Sequence, residues 1–201
     1  MTPAARERLG VFGGTFDPPH VGHLVSAVNV RHALGLDRVL LVVANVPWQK
    51  SGSRPISPAA DRLAMVEAAV EGVPGLEACD LELARGGPSY SVETLQALAT
   101  ERADRDLFLI LGSDAAAGLD TWERPDELRE LATFVVVDRP GGGSDVNVPD
   151  GFRAMHVEVP RLEVSSTDLR ARVVDGRPLD YLLTPAVISS IAARRLYRVP
   201  G

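Results

Sequence analysis

The strongest constraint in this chain is a set of short, continuous apolar runs, each stopping at a glycine or a polar cluster. Residues 8–12 stop at Gly13-Gly14, residues 38–43 (RVLLVV) at Ala44-Asn45, and residues 107–111 (LFLIL) at Gly112-Ser113-Asp114. Runs this apolar, with no alternation, are strands covered on both faces. Between them the spacing turns helical. Residues 21–34 put Val21, Leu24, Val25 and Val28 on one stripe and stop at Gly35. Helices are also predicted over 58–71, 91–100, 126–131, 166–175 and 185–195. Further strands are expected at 76–83, 134–137 and 155–159. Strands alternating with helices make an α/β protein, a doubly wound, mostly parallel sheet with helices on both faces. A length of 201 residues suits a single domain over 1–201, with 165–201 as a helical C-terminal part. In such sheets ligands collect beyond the carboxyl ends of the strands. Chemistry is therefore expected after Phe12, Val43, Leu111 and Val159.

Composition narrows the partners. A net charge of −6 argues against a nucleic-acid polymer, which asks for a basic face. An anionic small substrate stays open, because a pocket can be positive on an acidic surface. The single cysteine, Cys79, cannot form an internal disulfide. No apolar run reaches membrane-spanning length. Residues 1–9 carry arginines with no apolar stretch of the signal-peptide kind behind them. A cytoplasmic protein without a membrane partner is expected, and homo-oligomerisation stays open. Among 21 Lys and Arg residues, Lys50 is the one lysine, and it sits in the long aperiodic segment 44–57. Loops of that length in compact domains are usually functional or disordered. Residues 141–147 (GGGSDVN) read as a flexible insertion without assignable chemistry.

The densest polar cluster follows the first run: Gly13-Gly14-Thr15-Phe16-Asp17-Pro18-Pro19-His20-Val21-Gly22-His23. Two glycines let backbone and ligand approach closely, and the helix beyond opens with N–H groups that form an anion site. His20 and His23, three apart, share one helical face there. Imidazoles in that place can donate to phosphate oxygens and, when protonated, add charge. Zinc ligation is the competing reading, but no cysteine or third histidine lies near, which favours the anion. The string is neither G-x-G-x-x-G nor a G-x-x-x-x-G-K-[ST] loop. A second cluster, Ser165-Ser166-Thr167-Asp168-Leu169-Arg170, opens a helix near the other end. Its hydroxyls and amides can bind phosphate, with Arg170 about one turn along.

Together these strings resemble the H-x-G-H and S-S-T-x-x-R signatures of the nucleotidyltransferase superfamily related to the class I tRNA synthetases, whose fold is Rossmann-like. Three further segments resemble the nicotinate mononucleotide adenylyltransferases within it. They are Asn45-Val46-Pro47-Trp48-Gln49-Lys50, then Gly87-Pro88-Ser89-Tyr90-Ser91-Val92-Glu93-Thr94-Leu95, then Leu111-Gly112-Ser113-Asp114 followed by Thr121-Trp122 and residues 128–139. The resemblance spans about residues 9–197. It implies adenylyl transfer from ATP to nicotinate mononucleotide, with Mg²⁺ held mainly by the ATP phosphates and not by protein ligands. His20, His23, Lys50 and Arg170 would be catalytic. Gly13, Gly14, Thr15, Phe16, Gly112, Asp114, Ser166 and Thr167 would bind ATP and its phosphates, and Asn45, Ser91 and Trp122 the acceptor nucleotide. Packing remains an alternative for Trp122, and helix capping for Asp114. Serine stands at 91 where the family commonly has threonine, and the loop before Lys50 lacks the common Pro-His. Sibling transferases with nicotinamide mononucleotide, phosphopantetheine or a cytidylyl donor also fit the pattern, as does a non-catalytic nucleotide sensor.

Overall fold

The apolar runs form one six-stranded sheet. The computed structural model describes residues 6–47, 55–138 and 148–198. In chain order the strands are β1 (Glu7–Gly14), β2 (Arg38–Val43), β3 (Leu76–Cys79), β4 (Arg105–Gly112), β5 (Thr133–Asp138) and β6 (Ala154–Glu158). The helices are α1 (Val21–Leu34), α2 (Ala59–Val70), α3 (Leu81–Arg85), α4 (Ser91–Glu101), α5 (Ser113–Ala117), α6 (Pro125–Leu131), α7 (Ser166–Asp175) and α8 (Pro185–Ala193). Strand order is β3-β2-β1-β4-β5-β6. β1 pairs with β4, β4 with β5 and β5 with β6, all parallel, with Leu9 opposite Leu107 and Val11 opposite Leu109. The order reverses at β1/β4, which is the switch point of a doubly wound, Rossmann-like sheet.

Two segments depart from the periodicity reading. Residues 76–83 are not one strand: β3 stops at Cys79 and α3 follows, ended by Gly86 at φ +74°. Within α3 the buried residue is Glu82 and not a leucine, so the apparent alternation belonged to two elements of different period. Directly after β4, α5 and a 3₁₀ turn (Leu119–Thr121) were not anticipated, because five and three residues are too few to display a helical period.

By contact, the chain divides into two compact units. The first holds Met1–Gly13, Ser26–Leu40 and Tyr90–Arg161. Its core is the two-sided sheet, where Leu9, Leu109, Ile110, Phe134 and Val135 are all buried. At the start of its strands Glu7 accepts from Arg38 Nε at 2.9 Å and Arg105 Nε at 2.8 Å. The second unit holds Gly14–Val25, Leu41–Ser89 and Leu162–Gly201. Its core joins α2, α7 and α8 through Met65, Ala69, Leu169, Leu183, Val187 and Ile191. Burying each of the larger aliphatic side chains contributes roughly 1.5–3 kcal/mol. That packing carries the start of α7 to the loop that follows β1.

Candidate active site

The loop after β1 is shaped by close approaches that only glycine allows. A Cβ on Gly14 would lie 2.8 Å from Phe16 Cζ, so the Phe16 ring covers bare backbone. Phe16 itself is buried with φ +48°. Its ring meets His23 edge-on at 5.0 Å, and His23 stacks on His20 with ring centroids 3.7 Å apart. Gly22 makes the stack fit: a Cβ there would sit 3.0 Å from both His20 Nδ1 and Val164 Cγ1. The H-x-G-H spacing thus has a steric reason.

The two imidazoles are not equivalent. The His20 backbone N–H donates to His23 Nδ1 at 3.1 Å. A neutral His23 therefore carries its proton on Nε2, the nitrogen that can donate outward. Burial pushes the His20 pKa down to about 4. Its Nδ1 is buried without a hydrogen-bond partner among the described residues. The charge expected from a protonated His20 is therefore not supplied at neutral pH.

The C-terminal cluster docks directly on this loop. Ser166 Oγ donates to Pro18 O at 2.9 Å, and Arg170 Nη1 donates to Asp17 O at 2.8 Å. Arg170 Nη2 donates to Thr167 Oγ1 at 3.1 Å, which leaves the Thr167 hydroxyl proton to be directed elsewhere. The N-cap is Ser165, whose Oγ accepts from the Asp168 N–H at 3.2 Å. Because Ser166 has committed its hydroxyl proton to Pro18, its remaining donor is its backbone N–H. Asp17, 1% exposed, accepts from Tyr197 OH at 2.8 Å and from the Ser57 N–H at 3.5 Å. Burial and the Asp17 carboxylate push the Tyr197 pKa well above its ordinary value. The Asn45 N–H donates to Ser89 Oγ at 2.8 Å and its Nδ2 to Gly87 O at 2.9 Å. The loops after β2 and before α4 are tied in this way. Arg62 Nη1 donates to Thr15 O at 2.8 Å and Nη2 to Asn45 O at 3.1 Å.

The structure therefore brings together Thr15, Phe16, His20, His23, Ser166, Thr167 and Arg170, with Asn45 linked through Arg62. Gly13 is exposed near the end of β1. The remaining candidates lie in the first unit. Gly112 ends β4, Asp114 is exposed in α5, Ser91 opens α4, and half-buried Trp122 follows the 3₁₀ turn. Asp114 is not the N-cap of α5; Gly112 holds that position. Lys50, Trp48, Gln49 and the 141–147 insertion lie outside the described residues. Among the described residues no group of three or more His, Cys, Asp or Glu side chains gathers as a metal site, and no helix is long and apolar enough to cross a membrane.

Residues 11–172 match the family model described as cytidylyltransferase-like. A Corynebacterium kroppenstedtii protein named "Probable nicotinate-nucleotide adenylyltransferase" is 43% identical over 196 residues, covering 96% of this chain and 92% of that protein. The chain belongs to the nicotinate-nucleotide adenylyltransferase family. A Streptomyces coelicolor member of the same name is 46% identical over 187 residues, covering 92% of this chain and 98% of that one. The fold is shared with Plasmodium falciparum nicotinic acid mononucleotide adenylyltransferase, solved in complex with NaAD. The TM-score is 0.78 at 17% identity, over 95% of this chain and 97% of that one. In this member of the family, two side chains at the loop do more than the sequence reading assigns them. Asp17, expected only to fix the turn before the helix, also accepts from Tyr197 at the far end of the chain. Arg62 occupies the stripe of Met65, Val66, Ala69 and Val70 on α2, and a charge at that spacing was a readable signal.

Proposed function

We propose that this chain transfers the adenylyl group of ATP to nicotinate mononucleotide, giving the deamido form of NAD and pyrophosphate. An oxygen of the acceptor's phosphate forms a bond to the α-phosphorus. The bond from that phosphorus to the bridging oxygen breaks, and pyrophosphate leaves with the electron pair. The acceptor oxygen is already ionised near neutral pH, so the main requirement is to align two anions and hold the developing charge. The observation that carries this reading is the docking of Ser166 and Arg170 on the Pro18 and Asp17 carbonyls. It sets a guanidinium and the first turn of α7 beside the stacked histidines. His23 Nε2–H would donate to a phosphate oxygen. His20 would act as a neutral polar wall, and Arg170 with the α7 amides would hold the β and γ phosphates. Losing one such donor typically costs on the order of 3 kcal/mol in the barrier.

Imidazole and guanidinium donors suit phosphate oxygens and not a hard cation, which fits Mg²⁺ arriving on the triphosphate. Bound there, the ion would neutralise triphosphate charge. Thr15, Phe16 and Gly14 would lie where the two nucleotides meet, and Asn45, Ser91 and Trp122 would serve the acceptor. The cytoplasm, where a lone thiol such as Cys79 stays reduced, is the compartment that suits this reading.

Pyrophosphate release with ATP and a panel of acceptors tests the proposal, with Mg²⁺ present or withheld. Release with nicotinate mononucleotide, exceeding that with nicotinamide mononucleotide or phosphopantetheine and needing the metal, is expected. A stronger response to another acceptor would reassign the enzyme to a sibling activity, and no release with any would favour a nucleotide sensor.

A further inference from the structure

We infer that Arg62 is a positioning residue for adenylyl transfer, locking the loop after β1 to the loop after β2 and so setting donor against acceptor. The inference rests on the reaction proposed above.

Arg62 is 1% exposed and heads the largest fully buried side chains among the described residues. Taking a guanidinium out of water is costly unless its donors find partners. Three main-chain carbonyls from three stretches accept from it: Thr15 O at 2.8 Å, Asn45 O at 3.1 Å and Ser57 O at 2.9 Å. Thr15 belongs to the histidine loop. Asn45 leaves β2 and holds Gly87 and Ser89. Ser57 leads into α2 and gives its N–H to Asp17. The first two stretches carry groups proposed for ATP and for the acceptor, the third ties them to α2, and the guanidinium is the rigid plane to which all three are joined.

A planar fork directs its N–H groups in fixed directions, which an ammonium cannot reproduce. Carbonyls held by it are fixed relative to one another. In-line displacement is sensitive to such placement, since a shift of about 1 Å can cost on the order of 100-fold in rate. Each loop keeps its own binding groups when the fork is lost, so turnover should suffer more than affinity.

The test uses the full chain with Arg62→Lys and Arg62→Ala. Arg62→Lys should lower kcat about 100-fold. The KM values for ATP and nicotinate mononucleotide should move less than about threefold. Methylguanidinium should restore part of the Arg62→Ala turnover, saturably, below concentrations that shift its circular-dichroism melt. Should Arg62→Ala fail to fold, Arg62→Lys decides alone. An Arg62→Lys kcat near wild type would overturn the inference. So would activity that simply tracks the folded fraction, or a folded Arg62→Ala indifferent to methylguanidinium. Wild-type protein inactive with nicotinate mononucleotide would sink the proposed reaction before any variant is made, whereas a fully active Arg62→Lys would sink only the positioning role.

Discussion

Burial decides what the His20 imidazole can do. With a pKa near 4 it is uncharged at pH 7, so the positive charge proposed for the phosphates falls to other groups, Arg170 among them. In the unfolded chain the same imidazole titrates near 6.5. Between about pH 6.5 and 4 the unfolded state therefore holds a proton that the folded state refuses, and stability falls as pH falls through that window. From pH 6.5 to 5 the loss amounts to about 2 kcal/mol at most. Urea unfolding of the wild type and of His20→Asn, at pH 7 and pH 5, isolates this contribution because every other histidine is common to both. The wild type should lose about 2 kcal/mol more than the variant across the interval. Equal losses would mean that the folded and unfolded states protonate His20 alike.

At the scale of elements, the site depends on the start of α1 meeting the start of α7. The Val21 N–H donates to Leu182 O at 3.1 Å, Ser166 reaches Pro18, and Leu169 anchors α7 in the core of α2 and α8. Gly22 lies in that junction, with little room for a Cβ. In Gly22→Ala the new methyl would press on His20 and on Val164, which belongs to the approach to α7. Overpacking of this kind costs about 1–3 kcal/mol, while replacing a helical glycine by alanine returns up to about 1 kcal/mol. The melting temperature should therefore change by only a few degrees. The imidazole stack cannot stay as it is, so kcat should fall by an order of magnitude or more. Unaltered turnover in a folded Gly22→Ala would show that the stacked geometry is dispensable. Both motifs were visible in the sequence because each concentrates rare residue types over a few positions. That Ser165 is the cap and Ser166 the clasp was not, because adjacent serines differ only in where the backbone points them.

Over the whole molecule, what the sequence made legible was whatever repeats or concentrates. The continuous runs 38–43 and 107–111 announced two-sided strands, and the polar clusters behind them announced where chemistry would gather. Short elements stayed hidden: α5 is five residues and α3 was absorbed into a false alternation. The place of Arg62 on the apolar stripe of α2 could be read, but not what it joins, because the carbonyls of Thr15, Asn45 and Ser57 are groups every residue has and no pattern marks. Arg105 shows the same limit at the other end of the strands. Its side chain is 1% exposed at the start of β4, outside the apolar run, and donates to Glu7 at 2.8 Å, Leu98 O at 3.0 Å and Glu101 at 3.1 Å. Glu7 opens β1 and Gly14 closes it, a separation of roughly 23 Å along an extended strand. The end that holds the strands together is thus remote from the end proposed for chemistry. Burial tends to raise the Glu7 pKa, but hydrogen bonds and charge from Arg105 and Arg38 outweigh it and hold the carboxyl below its ordinary value. Its contribution is therefore full above about pH 4.5 and fades as pH falls below that. Glu7→Gln takes one of two carboxylates from the buried Arg105, which keeps Glu101 and Leu98 O, and should cost about 2 kcal/mol at pH 7. The gap between variant and wild type should narrow on acidification below pH 4.5, while kcat and KM at 25 °C stay at wild-type values. Chemical denaturation at pH 7 and pH 3.5, beside a pyrophosphate assay, checks all of this. A Glu7→Gln protein as stable as the wild type at pH 7, or one impaired in turnover while folded, would show that the two ends of β1 are not independent.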